Sequence, residues 1–145
     1  ALVIALLLGG ALWLAGRRYA AAKRARDQGA ARLRQKESEQ AAIKRSDVTL
    51  SSASGSLKLP GVDLERGVTV GRSSERSDVV LPNEVVSREH ARFTRQAGRL
   101  YVYDLESANG VYINGSRIPP RQEREIRSGD KIGFGRDLIF IVEFS

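Results

Sequence analysis

The sequence predicts an all-β domain in the carboxyl-terminal part of the chain, preceded by helical segments. Many short runs rich in β-branched and aromatic residues follow residue 67, with no helical pattern between them. Turn residues, most clearly Asn114-Gly115, separate the runs at short intervals. This pattern is typical of a β-sandwich, in which loops gather at the two ends. The predicted strands are Val68 to Val70, Asp78 to Leu81, Ala91 to Phe93, Leu100 to Tyr103, Val111 to Ile113, Lys131 to Phe134 and Leu138 to Phe144.

Residues 1–16 form an uncharged apolar run that is followed at once by Arg17 and Arg18. We expect a transmembrane helix here, and the bases after it place the rest of the chain in the cytoplasm as a single-pass membrane protein. Sixteen helical residues span about 24 Å, against about 30 Å of hydrocarbon. The helix is therefore tilted into a thin bilayer, or it begins upstream of Ala1. A buried core helix is the alternative, whereas a signal peptide needs its bases before the apolar run.

Residues 17–45 carry ten basic residues against three acidic ones. Strong helix formers dominate the segment and only Gly29 interrupts them, which predicts a basic juxtamembrane helix. Leu33 and Ile43 are too sparse for a coiled-coil seam. The positive face suits anionic lipid headgroups, and a solvated spacer explains the same residues equally well.

Residues 46–56 are rich in serine, which predicts a flexible linker before a domain at 57–145. Residues 46–145 contain fourteen basic and fourteen acidic residues, so the net charge of +7 belongs to the helical part. A nucleic-acid partner for the domain therefore lacks electrostatic support. The absence of cysteine excludes disulfides, Cys-ligated zinc and thiol catalysis.

Three short pieces in the β region carry chemistry: Gly71-Arg72, the run from Ser87 to His90, and Asn109-Gly110. If the fold brings them together, they present two guanidiniums, a hydroxyl and a carboxamide, which suits an anion. His90 is the only histidine, and no second His or Cys completes a metal site with it. No nucleophile, base and orienting group occur together, so we expect no enzyme activity and no cofactor.

These pieces resemble the forkhead-associated (FHA) domain pattern. The resemblance also includes the stretch Asp104 to Gly115 and the stretch Ser128 to Ile132, and it covers residues 57–144. It implies an eleven-stranded β-sandwich whose apical loops bind a phosphothreonine-containing peptide.

The resemblance also implies a role for each site residue. Arg72 and Ser87 would contact the phosphate, Arg88 would add to that contact, and Asn109 would hold the peptide backbone beyond the phosphothreonine. The residues implied to support the site structurally are Gly71, His90 and Gly110.

One position departs from the pattern, because Ala108 stands where the family often has Thr or Ser. The lost hydroxyl contact would cost about 1.5 to 3 kcal/mol of binding.

From the three motif pieces and the apolar run, we expect a membrane-anchored module that recruits phosphothreonine proteins to the cytoplasmic face of a membrane. Two alternatives stay open: a phosphate-independent structural subunit of a membrane complex, and the carboxyl-terminal regulatory region of a larger membrane protein.

Overall fold

The computed structural model describes the backbone of residues 2–144 and the side chains of residues 13–42 and 45–144. In this part of the chain, one long helix precedes eleven strands, which confirms the strand number that the resemblance implied. The elements are α1 Leu2–Arg45, β1 Val48–Ser52, β2 Gly55–Leu59, β3 Val68–Gly71, β4 Val79–Val80, β5 Ala91–Gln96, β6 Arg99–Asp104, β7 Val111–Ile113, β8 Ser116–Arg117, β9 Glu123–Ile126, β10 Lys131–Phe134 and β11 Ile139–Glu143.

The strands form two sheets. One has six strands in the order β2-β1-β11-β10-β7-β8, and the other has five in the order β4-β3-β5-β6-β9. Among the strands that the structure describes, only β3 and β4 pair in parallel. Buried aliphatic and aromatic side chains from both sheets form one core. Phe134 is buried in this core, and its ring centroid lies 5.8 Å from that of Phe140 and 6.4 Å from that of Phe93.

The prediction of a flexible linker at residues 46–56 is wrong, because β1 and the start of β2 lie there. Val48 and Leu50 are fully buried, whereas the residues between and after them face outward. The sequence did not show this alternation of inward-facing and outward-facing residues clearly, because serines occupy the outward face. β1 pairs with β2 on one side and with β11 on the other, so it lies inside the six-stranded sheet.

The Asn114-Gly115 turn, which the sequence indicated most clearly, closes a hairpin between β7 and β8. Both residues adopt positive φ angles, 50° for Asn114 and 85° for Gly115. A two-residue turn with positive φ at both positions matches the twist of the strands on either side. The side-chain amide of Asn114 also donates a hydrogen bond to the Asp130 carboxylate, which fixes the turn against the β9–β10 loop.

The amino-terminal part is one continuous helix of 44 residues, rather than a transmembrane helix followed by a separate basic helix. Side chains 13–42 are all exposed to solvent. The helix up to Gln40 and the chain from Ala41 onward form two compact units. Gly29 lies within the helix and its missing side chain leaves open space.

The predicted membrane anchor at residues 1–16 is contradicted. In the part of the chain that the structure describes, which does not include the side chains of residues 1–12, no helix is both long enough and apolar enough to span a bilayer. The single-pass membrane localisation and the bilayer contact that rested on this anchor are therefore not retained. Ala1, the first residue of the predicted span, lies outside the described residues.

Candidate functional site

Three loops meet at one end of the sandwich, and we call them the apical loops: residues 72–78, 81–90 and 105–110. Backbone hydrogen bonds join the first two loops. The Arg72 amide donates to the Ser87 carbonyl at 2.9 Å, and the Ser73 amide donates to the Arg88 carbonyl at 3.2 Å. The structure therefore brings together the first two of the three motif pieces that the sequence singled out.

Arg72 and Arg88 are both exposed, and together with Ser73 they line a shallow surface pocket. The Arg72 Nε donates to the Val86 carbonyl at 3.2 Å, which orients that guanidinium while leaving its terminal nitrogens toward solvent. The Arg88 guanidinium makes no hydrogen bond or ion pair with any residue that the structure describes. Two guanidiniums at one pocket have the donor groups and the charge that a multiply charged oxyanion requires.

Gly71 is required by the close approach of the two loops. A Cβ atom at this position would collide with the Arg88 carbonyl oxygen and with the Ser77 hydroxyl. The Ser77 hydroxyl donates to the same Arg88 carbonyl at 2.7 Å. Any larger residue at position 71 would therefore push the Arg88 backbone away from β3.

Ser87 connects the second loop to the third. Its Oγ accepts a hydrogen bond from the Ala108 amide at 3.0 Å. Because this bond uses an oxygen lone pair, the hydroxyl proton is still available to donate to a ligand. Ser87 thus has a structural partner and a remaining donor at the same atom.

His90 is fully buried and lies between the same two loops. Its Nδ1 accepts from the Ser87 amide at 3.0 Å, so the ring proton is on Nε2, which donates to the Gly110 carbonyl at 3.0 Å. Burial lowers the pKa of His90, while the bond to Gly110 and the charge of Asp104 oppose that shift. The neutral ring packs edge-on against Phe134 at 5.3 Å. These contacts agree with a supporting role for His90.

The third loop presents Asn109 at the surface. Its Nδ2 donates to the Val85 carbonyl at 2.7 Å, which leaves one amide hydrogen and the Oδ1 oxygen without a partner among the described residues. Gly110 follows with a φ angle of 81°, and its carbonyl also accepts from the Gly135 amide at 2.8 Å. The turn therefore aims the Asn109 side chain across the second loop.

Sequence reasoning missed two residues that shape the third loop. Asp104 is fully buried, and its Oδ1 accepts from the Ser107 amide at 2.9 Å. Ser107 is 6% exposed, and neither its hydroxyl nor the Asp104 Oδ2 has a hydrogen-bond partner within the structure described. The signal was the Asp-x-x-Ser spacing, which is typical of a side-chain-capped turn. The Ser107 hydroxyl is therefore turned away from the surface beside Ala108.

Comparisons with known proteins agree with this geometry. Residues 68–135 match the family model of the FHA domain. One solved structure comes from a structural and functional analysis of phosphothreonine-dependent FHA domain interactions, and its sequence is 27% identical to this chain. It superposes with a TM-score of 0.56 and covers 69% of this chain and 96% of that one. The β-sandwich thus has an FHA-type fold, and it is similar to FHA domains whose descriptions include phosphothreonine-dependent interactions.

Other relatives match this chain over only part of their own length. EmbR of Mycobacterium tuberculosis, solved with a low-affinity phosphopeptide, is 26% identical with a TM-score of 0.57 over 69% of this chain and 25% of that chain. The oxoglutarate dehydrogenase inhibitor of Corynebacterium diphtheriae is 36% identical over 80 residues, which are 55% of this chain and 54% of that protein. The human sarcolemmal membrane-associated protein is 35% identical over 88 residues, which are 53% of this chain and 11% of that protein.

The chain therefore spans about half the length of the bacterial inhibitor that it matches, and a smaller share of the human relative. The domain and the names of the bacterial relatives point to a binding or regulatory protein rather than a catalyst.

Proposed function

We propose that the apical loops bind a phosphothreonine-containing segment of a partner protein. Arg72 and Ser87 contact the phosphate, Arg88 adds a second guanidinium, and Asn109 holds the peptide backbone. The observation that carries the proposal is the pocket at which the Arg72 and Arg88 side chains are both exposed and neither forms an ion pair among the described residues. A phosphothreonine brings about −1.5 to −2 charges and three acceptor oxygens to such a site.

The free energies of the expected contacts indicate that binding depends on more than the phosphate. Three charge-assisted hydrogen bonds contribute roughly 5 to 9 kcal/mol, whereas micromolar affinity needs about 8 kcal/mol after the costs of association. The free Oδ1 and the second amide hydrogen of Asn109 are the groups that an extended peptide backbone requires. Both contributions are therefore needed for a useful affinity.

The test is a titration of labelled phosphothreonine peptides, with the unphosphorylated and phosphoserine forms of the same peptides alongside. We expect the phosphothreonine form to bind, and Arg72→Ala to weaken that binding by about 100-fold, since a bidentate contact is lost. Arg124→Ala is the matched control, because Arg124 is an exposed arginine on β9 in the same sheet. Equal binding of phosphorylated and unphosphorylated peptides would refute the proposal.

Ala108 supports a rival function in which the FHA domain binds its partner without phosphate. The position lacks a hydroxyl, and the neighbouring Ser107 hydroxyl is buried, so no side chain of this turn replaces the missing contact. In that case a co-purified partner would stay bound after phosphatase treatment, and Arg72→Ala would not release it. Under the proposal preferred here, both treatments release the partner.

A further inference from the structure

A groove crosses the outward face of the six-stranded sheet. We call it the outer groove, and its residues are Tyr112, Gly115, Lys131, Gly133, Arg136 and Ile139. Arg72 and Arg88 belong to loops of the other sheet, so the groove is a different surface from the proposed phosphate pocket.

The strand register explains the shape of the groove. Tyr112 on β7 pairs with Gly133 on β10, and Gly133 pairs with Ile139 on β11. The three residues form one row on the same face, and the middle one has no side chain. Tyr112 and Ile139 therefore stand on either side of a gap whose floor is backbone. A Cβ at position 133 would lie 2.7 Å from the Gly135 carbonyl oxygen and 3.1 Å from the Tyr112 Cβ, so a side chain fits here only if one of these groups moves.

The outward face of β11 is apolar at two of its three positions, where an exposed strand is normally polar. Ile139 is 46% exposed and Ile141 is 44% exposed, while Phe140 and Val142 between and after them fill the core. Apart from Val80, which is 38% exposed on β4, the outward-facing residues of the five-stranded sheet are instead polar, charged or tyrosine. They include Arg92, Thr94, Tyr101, Tyr103, Glu123 and Glu125. The two isoleucines are thus a local departure from the pattern of this molecule.

Two cations flank the apolar gap. Lys131 is exposed at the start of β10 and Arg136 is exposed in the turn after it. Neither side chain forms an ion pair in the part of the chain that the structure describes. The acidic groups near the start of β10 and the end of β11 already have partners, since Asp130 accepts from Asn114 and Glu143 accepts from Ser51. Asp137, next to Arg136 in the turn, is the remaining acid at this end.

We propose that the outer groove binds an acidic protein segment that inserts one large apolar side chain between Tyr112 and Ile139. Carboxylates on both sides of that side chain pair with Lys131 and Arg136. The apolar contact contributes affinity, and the two cations set the charge of the partner and the register of the segment. This binding needs no phosphate, so it is separate from the function proposed for the apical loops.

The probe is the unphosphorylated peptide acetyl-Gly-Ser-Glu-Glu-Phe-Glu-Glu-Ser-Gly-amide, titrated into the isotope-labelled full chain and followed by NMR. Two matched peptides replace the phenylalanine by alanine or the four glutamates by lysines. We expect shifts at Tyr112, Gly133 and Ile139, with none at Arg72. We also expect each matched peptide to bind about tenfold more weakly.

Variants test the two parts of the groove. Ile139→Ser should weaken binding about tenfold, whereas Val62→Ser, at a valine that is 70% exposed, should leave it unchanged. The double variant Lys131→Glu with Arg136→Glu should weaken binding by at least about tenfold, with Arg124→Glu as the control. Unfolding midpoints of all variants show whether any loss comes from misfolding, and backbone NMR spectra show whether the sheet is intact.

Four results would overturn the proposal. The phenylalanine peptide could fail to bind at up to about 5 mM. It could shift the apical loops instead of the groove. The alanine peptide could bind equally well, which would leave only charge attraction. Finally, a duplex DNA oligonucleotide titrated in parallel could bind the groove more tightly than any peptide, which would assign the surface to nucleic acid.

Discussion

The apical loops and the outer groove hold their shapes by different means. Hydrogen bonds between distant loops fix the apical site, with His90 and Ser87 bridging residues about 20 positions apart. The β-ladder fixes the groove, and the missing side chain of Gly133 opens it. A polar site therefore needs a dedicated set of supporting residues, whereas an apolar groove needs only register and one small residue.

The largest expected effect comes from replacing His90, which should disturb the apical loops and leave the outer groove unchanged. Replacing His90 by alanine leaves the Ser87 amide unpartnered, removes one of the two hydrogen bonds to the Gly110 carbonyl and opens space beside Phe134. We expect the free energy of unfolding to fall by about 3 kcal/mol, measured by urea denaturation. Phosphopeptide binding should weaken as well, while the NMR signals of the outer groove keep their positions at low urea. Equal disturbance of both regions would show that they are not independent.

A second change tests whether the gap at Gly133 is structurally required. In Gly133→Ala the new methyl group must displace the Gly135 carbonyl or the Tyr112 side chain. We expect a loss of about 2 kcal/mol in unfolding free energy, measured in the same assay. Gly98→Ala would be a poor control because its φ is 78°, so Ala53→Gly in the exposed β1–β2 turn is used instead. A neutral Gly133→Ala would mean that the sheet adjusts without cost.

Ala108→Thr should strengthen the apical site alone. The new hydroxyl stands on the turn that the Ser87 side chain already fixes, where the family often places such a group. We expect affinity for phosphothreonine peptides to rise about tenfold, measured by fluorescence titration, with stability unchanged. Ala53→Thr is the matched control at an exposed alanine far along the chain. An unchanged affinity would show that the peptide does not approach position 108.

The smallest effect is a pH dependence that belongs to the apical region. Burial depresses the pKa of His90 in the folded chain below its ordinary value of 6.5. As the pH falls, the His90 ring is therefore protonated in the unfolded chain before it is protonated in the folded chain. Stability should therefore be lost as the pH drops below about 6.5, and be fully present above it. Urea denaturation at pH 7.5 and 5.5 measures this loss. His90→Gln should reduce the loss, and an identical loss in that variant would contradict the assignment.

The apical site was largely readable from sequence because its residues belong to ordered motifs. Arg72, Ser87 and Asn109 were singled out before any fold was known, and the structure places their loops together. The contributions of Asp104 and Ser107 were not found, because a buried aspartate looks like any strand-end acid until its burial is seen. The outer groove was also not found, since it depends on the register of three strands, and no motif within one strand encodes that register.

The fold was predicted in class but not in extent. The alternation of Val48 and Leu50 was hidden among serines, so the first two strands were taken for a linker. β9 was missed because Glu123 to Glu125 are all exposed and only Ile126 faces the core. At the amino terminus, composition identified the helix correctly, but it could not decide whether an apolar run of sixteen residues reaches across a bilayer.

The position of β1 also sets the order of events during synthesis. Ser51 on β1 donates to Glu143 on β11, 92 residues later, and both strands lie inside the six-stranded sheet. The sheet therefore cannot close until the last strand has left the ribosome, and until then the edges of β1 and β10 lack a partner. Unpaired edges of this kind recruit other chains. A nascent domain with this strand order is thus most exposed to aggregation in the interval before β11 emerges.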